Sequence, residues 1–164
     1  MYETAFEIEY AVSSYFGTRQ NLIVPNVYPM SFGFRGGYEM DIAIMSSAGY
    51  LQEVEIKTTK SDLIKNLSKD RWRYSTFGIS KRMWFAMPES MNTEDCAYFV
   101  PVWAGILIVN NIGKVKATRE AQVNKDARKL NIKQQYKLAR LGAIRIWSMK
   151  HERIIKYQRT LEGE

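Results

Sequence analysis

Residues 38–46 and 50–58 alternate apolar with polar or charged side chains, and only Ser47, Ala48 and Gly49 lie between them. A period of two marks a β-strand whose two faces meet different surroundings. A three-residue loop with glycine in the left-handed position closes an antiparallel hairpin and fixes its register. Ser46 then faces Tyr50, Asp41 faces Glu55, and Glu39 faces Lys57. Glu39, Asp41, Glu53, Glu55 and Lys57 share one face of the hairpin. Met40, Ile42, Ile44, Val54 and Ile56 share the other, which reads as the core side.

That register sets two carboxylates against each other, which destabilises a sheet unless something offsets the charge. A divalent cation held by Asp41 and Glu55 is one solution. An antiparallel hairpin with a solvated, charged face is another, and a Glu-x-Lys tripeptide is common in ordinary strands. The alternation by itself leaves both open.

The flanking segments place the hairpin in a mixed α/β (α+β) domain with a central sheet. Residues 3–16 read as a helix stopped by Gly17, with Phe6, Tyr10 and Ala11 at core spacing. Residues 21–30 carry two prolines and read as an edge or irregular strand. A loop containing Gly33, Gly36 and Gly37 precedes the hairpin. A short helix follows it from Ser61 to about Asp70, then a loop over 71–78 and a buried strand over 81–88. A polar loop spans 89–95, and residues 104–110 and 114–118 form a second hairpin. From Glu120 onward the composition predicts basic helices, with Asn131 as a cap and Gly142 as an interruption. The whole reads as one domain, 1–164, with a core over about 3–118 and a basic helical part over about 119–164.

Composition narrows the chemistry. Lys and Arg number 24 against 17 Asp and Glu, a net charge of +7 that favours polyanionic partners. Cys96 is the sole cysteine and His151 the sole histidine, which removes intramolecular disulfides, thiolate metal sites and His-rich zinc sites. Any metal must then sit among oxygen ligands, which suits Mg2+ or Mn2+. The N-terminus lacks a signal-peptide pattern, and no apolar run reaches the roughly 20 residues of a membrane span. A cytoplasmic protein without membrane association is expected.

With Asp41 in YEMDIAIM and Glu55-Ile56-Lys57 in LQEVEIKTT, residues 3–88 resemble the PD-(D/E)XK nuclease superfamily. The run EVEIKTTKSDL, the strand RMWFAMP, WAGILIVN and the basic KLARLGAIRIW are similar to phage and bacterial proteins of the MmcB-like DNA repair group. The resemblance implies a restriction-endonuclease-like core: a helix, a three-stranded meander, a helix and a further strand. It implies a magnesium- or manganese-dependent DNA endonuclease in DNA repair, recombination or phage DNA processing, with RNA left open as a substrate. Asp41, Glu55 and the Ile56 carbonyl would ligate the metal, and Lys57 would orient the attacking water. Many members add an acid from the first helix, for which Glu7 is chosen over Glu3 and Glu9; Glu9 points about 160° away from Glu7. Met40 stands where the literal motif has proline.

Lys60 and Lys65 flank this site, and Arg71-Trp72-Arg73-Tyr74 interleaves cations with aromatics that suit phosphates and bases. The basic C-terminal third reads as a second DNA-facing surface or as a solvated helix face whose buried side is Tyr136, Leu138, Leu141, Ile144 and Trp147. A non-catalytic nucleic-acid-binding protein that retains the nuclease fold is the competing function, and a homodimer is left open.

Overall fold

The hairpin forms in the register its loop requires. Ser46 N–H donates to the Tyr50 carbonyl at 3.0 Å, and Gly49 has φ 82°, in the left-handed region. The computed structural model describes residues 3–34, 38–67 and 79–162. In chain order these form α1 (Ala5–Phe16), β1 (Leu22–Val27), a 3-10 turn (Pro29–Phe32), β2 (Met40–Met45), β3 (Leu51–Ile56) and α2 (Lys60–Leu67). β4 (Ser80–Pro88), a second 3-10 turn (Glu89–Met91), α3 (Glu94–Phe99), β5 (Gly105–Val109), β6 (Val115–Arg119) and α4 (Ile132–Glu162) follow.

The fold is α+β, with one mixed six-stranded sheet in the order β1-β2-β3-β4-β5-β6 and helices against it. β1, β2 and β3 are a meander of antiparallel neighbours. β4 lies parallel to β3, β5 parallel to β4, and β6 antiparallel to β5. Parallel neighbours need a crossover connection, and α2 and α3 lie in those two connections. Both pack on the same sheet face, where Leu63 and Cys96 join Met83, Phe85 and Ile106 in one buried cluster. The opposite face packs on α1, with Ile8, Ala11 and Val12 against Ile42, Val54, Ile56 and Trp84. Pro25 sits in the edge strand β1, where its missing N–H breaks no interior ladder. No described helix is long and apolar enough to cross a membrane.

Four expectations are corrected. The buried stripe of α1 is Ile8, Ala11 and Val12, while Phe6 and Tyr10 are exposed, a rotation of the helix away from the predicted phase. A third helix, α3, occupies part of the predicted loop over 89–95, started by Thr93, whose hydroxyl accepts from Cys96 N–H at 3.2 Å. Residues 120–131 are not helical. They form a strap whose amides reach three separate places: Gln122 to Trp103, Asn124 to Lys81, and Leu130 to Gly49. Helix-forming side chains there lose to backbone hydrogen bonds made with the starts of β3, β4 and β5. α4 does begin at the Asn131 cap, whose side chain accepts from Gln134 N–H at 2.9 Å, but Gly142 does not interrupt it. Instead Gly142 lets the helix approach β1, since an added Cβ would stand 3.3 Å from Val24 Cγ2.

Candidate functional site

Asp41 lies in β2 at a point where the sheet opens. On one side the β1 register passes from Pro25–Ile42 to Val27–Met40, and the skipped Asn26 has φ 51°. That left-handed conformation is one asparagine tolerates better than most residues. On the other side the β3 register runs only as far as Ile42–Val54. One step further along that register, Asp41 stands across from Glu55. The next hydrogen-bonding position would join Met40 and Ile56, but Ile56 N–H donates to Asp41 Oδ2 at 2.7 Å. A carboxylate thus replaces a backbone carbonyl at the mouth of the hairpin, a charge-assisted bond of about 1.5–3 kcal/mol. The carbonyl of a strand residue points the same way as its N–H, so the Ile56 carbonyl is directed toward the same opening.

Glu55 and Lys57 follow on the same face, and both are buried rather than solvated. Lys57 Nζ lies 2.9 Å from Glu55 Oε1, with side-chain exposures of 5% and 2%. A second carboxylate, Asp62 Oδ2, lies 3.3 Å from the same ammonium and is half exposed. Local folding explains this arrangement. Lys57 N–H donates to the Ala86 carbonyl at 2.9 Å, which holds the residue beside β4 after β3 has formally ended. α2 then starts within one turn, with Thr59 Oγ1 accepting from Asp62 N–H at 3.2 Å. Leu63 anchors that turn in the apolar cluster on β4, bringing Asp62 over Lys57. Deeper on the same face, buried Glu53 accepts from Ser80 Oγ at 3.3 Å. The sheet therefore carries a buried polar stripe, Glu53, Glu55, Lys57 and Ser80, between two apolar clusters.

Glu7, the acid chosen on α1, and its neighbour Glu9 have different surroundings. Glu7 belongs to a capping box: its carboxylate accepts from Thr4 N–H at 3.0 Å and Thr4 Oγ1 at 2.7 Å. Those hydrogen bonds hold its pKa below the ordinary carboxylate value. Glu9 is half-buried, and burial together with the charge of Asp41 pushes its pKa up. Glu9, not Glu7, is the α1 carboxylate whose field reaches Asp41. The sequence held a usable signal: with Ile8, Ala11 and Val12 inside, Glu9 falls at the rim of the buried stripe.

The predicted phosphate contacts separate. Lys60 pairs with Asp95 at 3.1 Å and ties α2 to α3. Lys65 is exposed on α2. Arg71 and Arg73 lie outside the described residues, as do Trp72 and Tyr74. Cys96 is buried in the core and His151 is exposed on α4. Trp84 and Phe85 are both core, on opposite sheet faces. Asp62 and Glu53 were not singled out as site residues, because pairing across an α2 start and burial on a charged face leave no periodic mark. Among the described residues no three Asp, Glu, His or Cys side chains group closely enough to enclose a metal ion.

No family model matches the chain, and no curated protein matches it. A solved protein of unknown function from Silicibacter pomeroyi has a similar structure, with a TM-score of 0.56. The match covers 94% of this chain and 90% of that one at 18% identity, so it speaks to the fold alone.

Proposed function

We propose that this chain is a metal-dependent DNA nuclease of the PD-(D/E)XK type, with Asp41, Glu55 and Lys57 as its working set and Glu9 as the first-helix acid. One observation carries the reading. At the mouth of a hairpin, Asp41 turns across to Ile56 N–H beside the buried Glu55–Lys57 pair. The run α1, β1-β2-β3 meander, α2, then β4 parallel to β3 is the order a restriction-endonuclease-like core requires, and it supports that finer assignment.

The donors suit a hard cation: Asp41, Glu55 and the Ile56 carbonyl are all oxygen ligands. Mg2+ usually takes one or two protein carboxylates and completes its shell with water and substrate phosphate, so a protein contribution of two acids is sufficient. Bound there, Mg2+ or Mn2+ would polarise the scissile phosphate and lower the pKa of attacking water. Lys57 holds an ammonium where charge develops on the phosphate oxygens. Glu9 stands close enough for its charge and that of Asp41 to oppose each other, and burial followed by the Asp41 charge raises its pKa. Lys60 and Lys65 lie on α2, next to the site, as phosphate contacts.

The competing reading, a nucleic-acid-binding protein without turnover, draws on the Lys57 ammonium, already satisfied by Glu55 and Asp62. Labelled duplex, flap, junction and single-stranded DNA, with an RNA control, incubated with Mg2+, Mn2+ or chelator, decide between them. The nuclease reading expects metal-dependent cleavage of at least one form, abolished in Asp41→Ala and Lys57→Met. Binding without cleavage of any form, or cleavage unchanged in both variants, overturns it.

A further inference from the structure

Tyr50 closes the hairpin loop and leads into β3. Its N–H donates to Ser46 Oγ at 3.3 Å and its carbonyl accepts from Ser46 N–H, which fixes the ring at the loop end of the sheet. Two cations from segments far apart in sequence share that ring. Lys81 Nζ, at the start of β4, lies 3.6 Å from the ring centroid, and Lys129 Nζ, in the strap, lies 5.4 Å from it. Both distances are within cation–π reach, and the two ammonium groups stand no further apart than their sum. Backbone bonds hold this frame. The Lys81 carbonyl accepts from Asn124 N–H at 2.9 Å, and Leu130 N–H, next to Lys129, donates to the Gly49 carbonyl at 2.9 Å.

A ring face carries a quadrupole but no net charge, so it orients the two ammonium groups without neutralising them. Among the described residues neither has a carboxylate partner. Residues 125–133 add the exposed Lys125, Arg128 and Lys133 against Asp126 alone. The positive end of the α4 dipole falls at the same place, with no acid in its first turn. We propose that Lys81 and Lys129, held by the Tyr50 ring, grip a backbone phosphate of DNA at the end of the sheet opposite Glu55 and Lys57. Each ammonium has three N–H donors, and the ring engages only part of that set. The remaining donors suit phosphate oxygens. The basic side chains are spread along the strap rather than gathered round a cavity, which fits a polymer of regularly spaced phosphates better than one small anion. Such a contact positions the polymer and reads no bases. It lies roughly 20 Å from Lys57 along β3, so it anchors DNA away from the proposed reacting atoms. The choice of DNA rests on the nuclease reading, while the phosphate contact itself needs no turnover.

Fluorescence anisotropy of labelled duplexes of two unrelated sequences, titrated with salt in the presence of chelator, tests it with cleavage silenced. Lys81→Gln combined with Lys129→Gln should weaken binding to both sequences alike, by roughly 10-fold or more at about 0.1 M salt. The slope of log K against log salt should fall by about one per lysine removed, in the single variants as in the double. Tyr50→Phe, which keeps the ring, should bind as the parent chain does. Lys114→Gln combined with Lys116→Gln removes the same charge from exposed positions at the β6 edge and should cost no more than about 2-fold. Circular dichroism with thermal melting checks that every variant is folded. Unchanged binding in the Lys81 and Lys129 variants overturns the proposal, as does an equal loss in the Lys114 and Lys116 pair. So does binding to anionic vesicles or inorganic phosphate with none to any duplex. Loss of binding in the Lys81 and Lys129 variants of a chain that cleaves nothing with metal would sink the nuclease reading and leave this contact standing.

Discussion

Replacing Lys57 by methionine removes the ammonium and keeps most of the side-chain volume. It leaves Glu55, 2% exposed at its side chain, without the cation 2.9 Å from its Oε1. Breaking a buried ion pair from one side costs about 3–5 kcal/mol, because the remaining charge is stranded away from water. The half-exposed Asp62 adds little, since a solvated pair is worth about 0–1 kcal/mol. A domain of this size holds about 5–15 kcal/mol, so Lys57→Met should still fold, with Tm lowered by roughly 6–20 °C. Glu55→Gln removes the other charge. If the two groups are one buried unit, the double variant should lose less than the sum of the singles by about 1–3 kcal/mol. Urea denaturation followed by circular dichroism measures all four corners of the cycle. Additive losses, or a Lys57→Met loss below about 0.5 kcal/mol, would refute the burial argument. Cleavage by the same four proteins separates stability from chemistry: the double variant should regain part of its stability and none of its activity.

Other outcomes follow from the same geometry. Burial and then the charge of Asp41 raise the Glu9 pKa, so folding favours its protonated form. Stability from this group therefore falls as pH rises from the ordinary carboxylate range through the raised value; Glu9→Gln should stabilise at neutral pH and flatten that decline, and unchanged pH profiles would count against it. Glu7→Ala should lower Tm by undoing the capping box while cleavage survives, whereas Glu9→Ala should impair cleavage; the reverse pattern would restore Glu7 as the functional acid. Gly105→Ala puts a methyl group inside contact distance of the Trp84 ring and 2.8 Å from Ala121 N, so a loss of about 1–3 kcal/mol is expected by urea titration.

The hairpin was legible because two independent constraints, a period of two and a loop of fixed length, agree on one register. Its burial was not, since solvated and covered charged faces alternate identically. What covers the acids is α2, and its approach depends on Leu63 meeting Met83 and Phe85, a contact between segments far apart in sequence. The phase of α1 was misread because Phe6 and Tyr10 outrank Ile8 and Val12 in size, and both aromatics lie exposed. The strap over 120–131 has good helix formers and no period. Where periodicity is absent, backbone partners elsewhere decide the conformation, and here they lie near Lys81, Trp103 and Gly49.

That strap has a consequence in time. It is synthesised after all six strands, yet it ties down the starts of β3, β4 and β5, with Leu130 closing on Gly49 across 80 intervening positions. Contacts so distant along the chain carry a large loop-closure cost and tend to form late. A nascent chain can therefore assemble its meander and lay β4 beside β3 before the strap exists. The strap then acts as a clasp fastened last, at the end of the sheet away from Glu55 and Lys57. By microscopic reversibility a clasp fastened last is released first, so the amides of Gln122, Asn124 and Leu130 should exchange before those of the central strands β3 and β4.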